Sequence, residues 1–168
     1  MNLLVVRHAV AKDRDAFART GRDDSERPLT RRGRREFRKA ARGIARLSGG
    51  VSVLATSPYV RTVETAELLA KALGLERAVR RSELEPGGSA DALLAWLGKR
   101  GRSATVAVVG HEPDVSRLVA YCATGRAEDF FDFDKGGACL LAFEGAVRPG
   151  RAKMCWLLTA AQLGRLGR

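Results

Sequence analysis

Short β-branched apolar runs alternate along this chain with stretches in which apolar residues return every three or four positions. The continuous runs, Asn2 to Val6, Val51 to Ala55 and Thr105 to Val109, have the composition of strands buried on both faces. A weaker extended stretch lies around Ala78 to Arg80. Between them Thr30 is placed to cap a helix through about Leu47, with Phe37, Ala40, Ala41, Ile44 and Leu47 on one face and Gly49-Gly50 as the stop. Ser57-Pro58 reads as N-cap and first residue of a helix to Leu73, closed by Gly74. Ser89 caps a short helix from Ala90 to Leu97. A helix from near Pro113 carries Val115, Leu118, Val119 and Cys122 inward. Ala138 to Phe143 and Lys153 to Leu158 read as two late strands, joined by a Gly- and Pro-containing turn and able to pair antiparallel at one side of the sheet. This alternation is the α/β signature. Two segments stand outside it: Ala9 to Pro28 has no period and is expected to be an irregular, functional loop, and the basic tail 159–168 is expected to fray.

The length of 168 residues fits one domain, 1–168, with a single core. Cys122, Cys139 and Cys155 form no C-x-x-C spacing and lie in mostly apolar surroundings, which points to reduced, buried thiols. The apolar run before Arg7 is shorter than the roughly seven residues of a signal-peptide core, and no stretch nears the roughly 18 of a membrane span. A cytoplasmic location without membrane contact is the resulting expectation. Net charge is +11, much of it between Arg31 and Arg46, where eight basic residues oppose Glu36 alone. That run is either the solvated face of an amphipathic helix or a surface for an acidic protein or nucleic acid.

The candidate chemistry sits where strands end. The only two histidines close the first and the strongest apolar run, in Arg7-His8 and Gly110-His111-Glu112-Pro113. A third segment, Ser57-Pro58-Tyr59-Val60-Arg61-Thr62, follows the second run. Side chains past the carboxyl ends of strands line the ligand crevice of an open α/β sheet. Arg61 falls in the first turn of its helix, where free N–H groups and the helix dipole also favour an anion. Guanidinium forks match phosphate oxygens in pairs, and a neutral imidazole can attack phosphorus and carry a covalent intermediate. Neighbouring cations keep that imidazole neutral. Activity is then expected to fall as the imidazole protonates in acid, within reach of a free histidine's pKa of about 6.5 and above about pH 4.

In this order the motifs resemble the histidine phosphatase superfamily, the branch that includes phosphoglycerate mutases, and more narrowly the small SixA-type phosphohistidine phosphatases. The matching pieces are Val5-Val6-Arg7-His8-Ala9, Asp24-Ser25-Glu26-Arg27-Pro28-Leu29-Thr30, Ser57-Pro58-Tyr59-Val60-Arg61-Thr62, Glu83-Leu84-Glu85-Pro86-Gly87-Gly88 and Gly110-His111-Glu112-Pro113. The resemblance implies a three-layer αβα sandwich whose mostly parallel sheet has an antiparallel edge. It implies His8 as the phosphoryl-accepting nucleophile, with Arg7, Arg61 and His111 forming the phosphate pocket and Arg27 an additional anion contact. It implies no metal or other cofactor. Where the superfamily usually has Arg-His-Gly, this chain has Ala9. Glu83 is the candidate proton donor, with Glu85, Asp23 and Asp24 as rivals.

A short chain without a long insertion after the second strand suits a protein-borne phosphohistidine. The alternatives are a small phosphomonoester phosphatase or a mutase, the latter needing a closed, water-free pocket. A different class is a polyanion-binding module using the Arg31–Arg46 face. Aromatics for base stacking are scarce there, which weighs against a nucleic-acid partner.

Overall fold

A computed structural model describes residues 1–168. Six strands form one sheet: β1 (Asn2–Arg7), β2 (Val53–Thr56), β3 (Val79–Arg80), β4 (Thr105–Gly110), β5 (Ala138–Phe143) and β6 (Ala152–Leu158), in the order β3-β2-β4-β1-β5-β6. The first four run parallel, while β5 pairs antiparallel with both β1 and β6. The helices are α1 (Arg14–Ala18), α2 (Arg31–Leu47), α3 (Val60–Leu73), α4 (Ala90–Gly98), α5 (Asp114–Thr124) and α6 (Ala160–Leu166).

The period-2 alternation of β1 and β4 divides the core into two halves. Leu3, Val5, Val106 and Val108 face α4 and α5, packing with Leu93, Leu97, Leu118 and Val119. Leu4, Val6, Ala107 and Val109 face α2, α3 and α6, packing with Phe37, Ile44, Leu69 and Leu163. The result is a three-layer αβα arrangement. Each fully buried Leu, Val or Phe contributes about 1.5–3 kcal/mol, so the central strands are the most strongly held part of the molecule. Edge strand β6 is mostly open to solvent, with Met154 and Leu157 exposed.

Five expectations from the sequence change. The tail does not fray: Thr159 and Gln162 form a reciprocal capping box, and α6 lies against α2. A Cβ on Gly43 would meet the Leu163 backbone, and one on Gly167 would meet the Lys39 carbonyl, so glycine lets the two helices touch. The 9–28 segment contains α1, capped by Asp13, and a 3-10 turn, Asp24–Glu26, capped by Asp23; an Ala11–Leu29 bridge ties its ends. Cys155 is exposed on β6, whereas Cys122 and Cys139 are buried, and burial pushes both of those thiols up to about 12. Finally, α3 begins at Val60 with Tyr59 at its N-cap, two residues later than the Ser57 cap expected. Leu47, at the end of α2, is also exposed rather than inward.

Candidate active site

Strand register brings the two histidines together. Arg7 on β1 is directly opposite Gly110 on β4, so the next residue of each strand, His8 and His111, emerges at the same level. The His8 amide donates to the Gly110 carbonyl (3.0 Å) and the Ser57 amide to the Val109 carbonyl (3.1 Å). These bonds extend the ladder one step past the strands and align three segments at the carboxyl edge. The imidazole centroids lie 5.4 Å apart, and both rings are nearly buried, His8 at 7% exposure and His111 at 3%.

The tautomer of His8 follows from its partner. Its Nδ1 lies 2.8 Å from the Ala9 carbonyl oxygen, which can only accept. Nδ1 therefore carries the proton, and Nε2 keeps its lone pair. Ala9 is fixed in turn, its amide donating to Thr65 Oγ1 (3.1 Å), whose hydroxyl donates to the Arg61 carbonyl (2.6 Å). On the other side, Ser57 Oγ accepts from the Tyr59 amide (3.3 Å) and sits 2.9 Å from His111 Nε2. Tyr59 packs edge-on to His111 and beneath the Arg61 guanidinium.

Three arginines converge here. Arg61 is 3% exposed. It donates from a terminal nitrogen to the Asp24 carbonyl (2.8 Å) and pairs with the Asp24 carboxylate (3.1 Å). Arg27 donates its Nε–H to that carboxylate (2.7 Å) and a terminal N–H to the Lys12 carbonyl (2.7 Å). Arg7 is held by the Phe133 carbonyl. Asp24 is thus the strut of the cation cluster: burial alone would raise its carboxyl, but the Arg27 bond and the charges of Arg61, Arg27 and Arg14 hold it below the usual range. The sequence reading missed this role, although Asp24 was visible as the first residue of its motif. It also missed the Glu112 carboxylate, which accepts from the Phe133 amide (2.6 Å) and the Ser116 hydroxyl (2.7 Å). It thereby anchors the backbone of Phe133, the residue whose carbonyl holds Arg7.

Arg7, His8, Arg27, Arg61 and His111 line one cleft of about 570 Å³, joined by Lys12, Arg14 and Lys135 and with Ala11 as its one small aliphatic wall residue beside Pro86. Its polar groups are incompletely satisfied. Arg7 Nε, Arg61 Nε and His111 Nδ1 are buried without a partner, three of the five such side-chain atoms in the molecule. Glu83 stands apart from this cleft. It is ion-paired with Arg81, and its carboxyl lies below the usual value, chiefly through a hydrogen bond to its own backbone, with burial opposing and the Arg81 hydrogen bond and charge adding to the lowering. It borders a separate depression on the α5 side of His111. An ionised, paired carboxylate there has no proton to deliver to the His8 face.

Burial, and then the charges of Arg61 and Arg7, push His8 down to about 3 despite the favourable Ala9 bond. Burial and Arg61 do the same to His111, also to about 3. The expectation of an acid limb above pH 4 therefore changes: His8 stays neutral well below 6.5, and its loss of nucleophilicity moves toward pH 3. The same shifts govern stability. An imidazole with a depressed native pKa binds its proton in the unfolded chain first, so stability falls as pH drops below 6.5 and continues to fall toward 3. For the two rings together the expected loss between about pH 6.5 and about pH 5 is about 3 kcal/mol. Urea unfolding across that range measures it. A constant unfolding free energy would mean that the rings are not held neutral by the fold.

Fold and site together define an α/β protein with a cationic, two-histidine crevice at the carboxyl edge of its sheet. A model of the histidine phosphatase superfamily (branch 1) matches residues 3–85. An uncharacterized protein from Picosynechococcus sp. is 34% identical over 140 residues, covering 82% of each chain. The solved structure of the protein histidine phosphatase SixA complexed with tungstate superposes with a TM-score of 0.82 at 26% identity, over 97% of this chain and 99% of that one. The α-ribazole phosphatase of Shigella flexneri, at 16% identity, shares the fold with a TM-score of 0.74, over 95% of this chain and 97% of that one. The chain belongs to the histidine phosphatase superfamily, and its family and neighbours support a phosphatase-type hydrolase. No helix is long and apolar enough to cross a membrane.

Proposed function

We propose that the protein removes the phosphoryl group from phosphohistidine on another protein, through a covalent intermediate on His8. The observation that carries this reading is the set of unpartnered polar atoms, two of them guanidinium N–H donors, around a neutral imidazole. Buried polar groups are satisfied almost without exception, so Arg7 Nε, Arg61 Nε and His111 Nδ1 gathered in one cleft mark a place for an oxyanion. The tungstate complex of the SixA structure fits the same chemistry, tungstate being a tetrahedral oxyanion like phosphate.

In this reading Arg7, Arg61, Arg27 and His111 spread the phosphoryl charge over several donors. The Nε2 lone pair of His8 attacks phosphorus and the bond to the leaving group breaks. Water then attacks the phospho-His8, the Nε2–P bond breaks, and inorganic phosphate departs. Placement of the proton on the leaving group separates the candidate substrates. An alkoxide leaving group needs a strong acid beside it, whereas Glu83 is tied to Arg81 and Asp24 is held ionised by arginines. An imidazole leaving group is protonated readily by water, so a P–N bond suits this cleft better than a P–O ester. Access agrees: β2 and α3 are joined by three residues only, which leaves no cap between the cleft and a protein surface.

A substrate panel tests the assignment. A phosphohistidine peptide is expected to exceed sugar phosphates, nucleotides and phosphoglycerates in kcat/KM by at least about tenfold, the preference that 1.4 kcal/mol of transition-state binding gives. A preference for a small phosphomonoester would keep the chemistry and replace the substrate.

A further inference from the structure

A groove of about 730 Å³ lies beside the histidine cleft. Arg7 and Lys135 line both, so one opens into the other. Its walls are two helical stripes: Arg32, Glu36 and Lys39 on α2, and Ala161, Arg165 and Arg168 on and just beyond α6, each spaced i, i+4, i+7 and so on one face of its helix. We propose that this groove docks an acidic stretch of polypeptide flanking the phosphohistidine of the substrate protein. The proposal rests on the phosphohistidine reading above and adds the surface that would select the partner.

Charge is the first argument. Six cationic residues line the groove against the carboxylates of Glu36 and Asp134, and Glu36 is already paired with Arg32 at 2.6 Å. Lys39, Lys135, Arg165 and Arg168 make no ion pair within the chain. Continuity is the second: a phosphoryl group held by Arg7 leaves the residues next to it facing Lys135 and the helical stripes. Rigidity is the third. The Gly43–Leu163 and Gly167–Lys39 approaches and the Thr159 capping box hold α6 on α2, so the groove is preformed and little ordering opposes binding. The lining contains no aromatic side chain, and its apolar members are Val10, Ala160 and Ala161. A nucleic-acid strand would want stacking platforms; carboxylates need only the cations.

Two phosphohistidine peptides, one flanked by Glu and Asp and the other by Lys and Ser, test this with the full chain. The acidic peptide is expected to have the higher kcat/KM by at least about tenfold at low ionic strength, the difference shrinking in about 1 M salt where screening lengths fall to about 3 Å. The triple variant Lys39→Glu, Arg165→Glu, Arg168→Glu, all exposed positions, should erase the preference while hydrolysing free phosphoramidate as the parent does. The corresponding Gln variant should be intermediate. Equal rates on the two peptides, or a preference that survives charge reversal, would overturn the groove and leave the phosphohistidine reading standing. Hydrolysis of phosphoramidate but of neither peptide would remove both. An oligonucleotide that displaces the dephosphorylated acidic peptide at lower concentration than the peptide itself would assign the groove to nucleic acid instead.

Discussion

His8→Asn is expected to lower kcat on a phosphoramidate by on the order of 10³-fold or more, the scale on which loss of a nucleophile is felt in covalent catalysis. Asparagine suits the test because its amide can still donate to the Ala9 carbonyl that His8 Nδ1 now meets at 2.8 Å. The turn should keep its shape while the attacking lone pair disappears. His8 is also the ring whose neutrality the site enforces, pushed to about 3 first by burial and then by the neighbouring guanidinium groups. The Arg7, Arg61 and His111 donors remain in the variant, so a substrate analogue such as tungstate should still bind. Retention of more than a tenth of the parental rate, measured under saturating substrate, would show that another group attacks.

Arg61→Ala should be nearly as damaging, lowering kcat/KM by about 10²- to 10³-fold, the range seen when one preorganised donor to a developing oxyanion is lost. Arg61 is 3% exposed, anchored by Asp24 at 3.1 Å and seated over Tyr59. Its removal takes away a buried charge and leaves the Asp24 carboxylate leaning on Arg27 and Arg14 alone. Arg61→Lys separates charge from geometry, because an ammonium cannot present two parallel donors to two oxygens. A lysine variant that recovers only a small part of the lost activity supports the forked contact. Full recovery would reduce the role of Arg61 to a point charge, and both variants are compared by kcat and KM on one substrate.

Much of this was legible before any coordinates, and for a physical reason. Runs such as Leu3–Val6 and Thr105–Val109 are buried on both faces, which is the strongest pattern a short strand can write into a sequence. Because Arg7 pairs with Gly110, the two strand-end motifs carried the site with them. The misses share a cause as well. Helix α1 has five residues and one buried side chain, Phe17, too few for a period to show. The tail was misjudged by its charge, although Thr159-x-x-Gln162 is a capping-box spacing that could have marked α6. Glu83 looked like a proton donor by position, and only the neighbouring Arg81 side chain removed it. Such pairings depend on side-chain direction, which spacing does not encode. The pH expectation moved for the same reason, since the depth of burial that depresses both imidazoles is a property of the packed fold.

The covalent step is the centre of the account, and trapping it is its most direct measurement. The protein would be mixed with a phosphohistidine peptide or a phosphoramidate, quenched in base, and digested for mass spectrometry. The account requires one phosphoryl adduct on the peptide containing His8, stable in alkali, labile in acid and missing from His8→Asn. Turnover without any adduct at His8, or an adduct at His111 or elsewhere that His8→Asn retains, would contradict it.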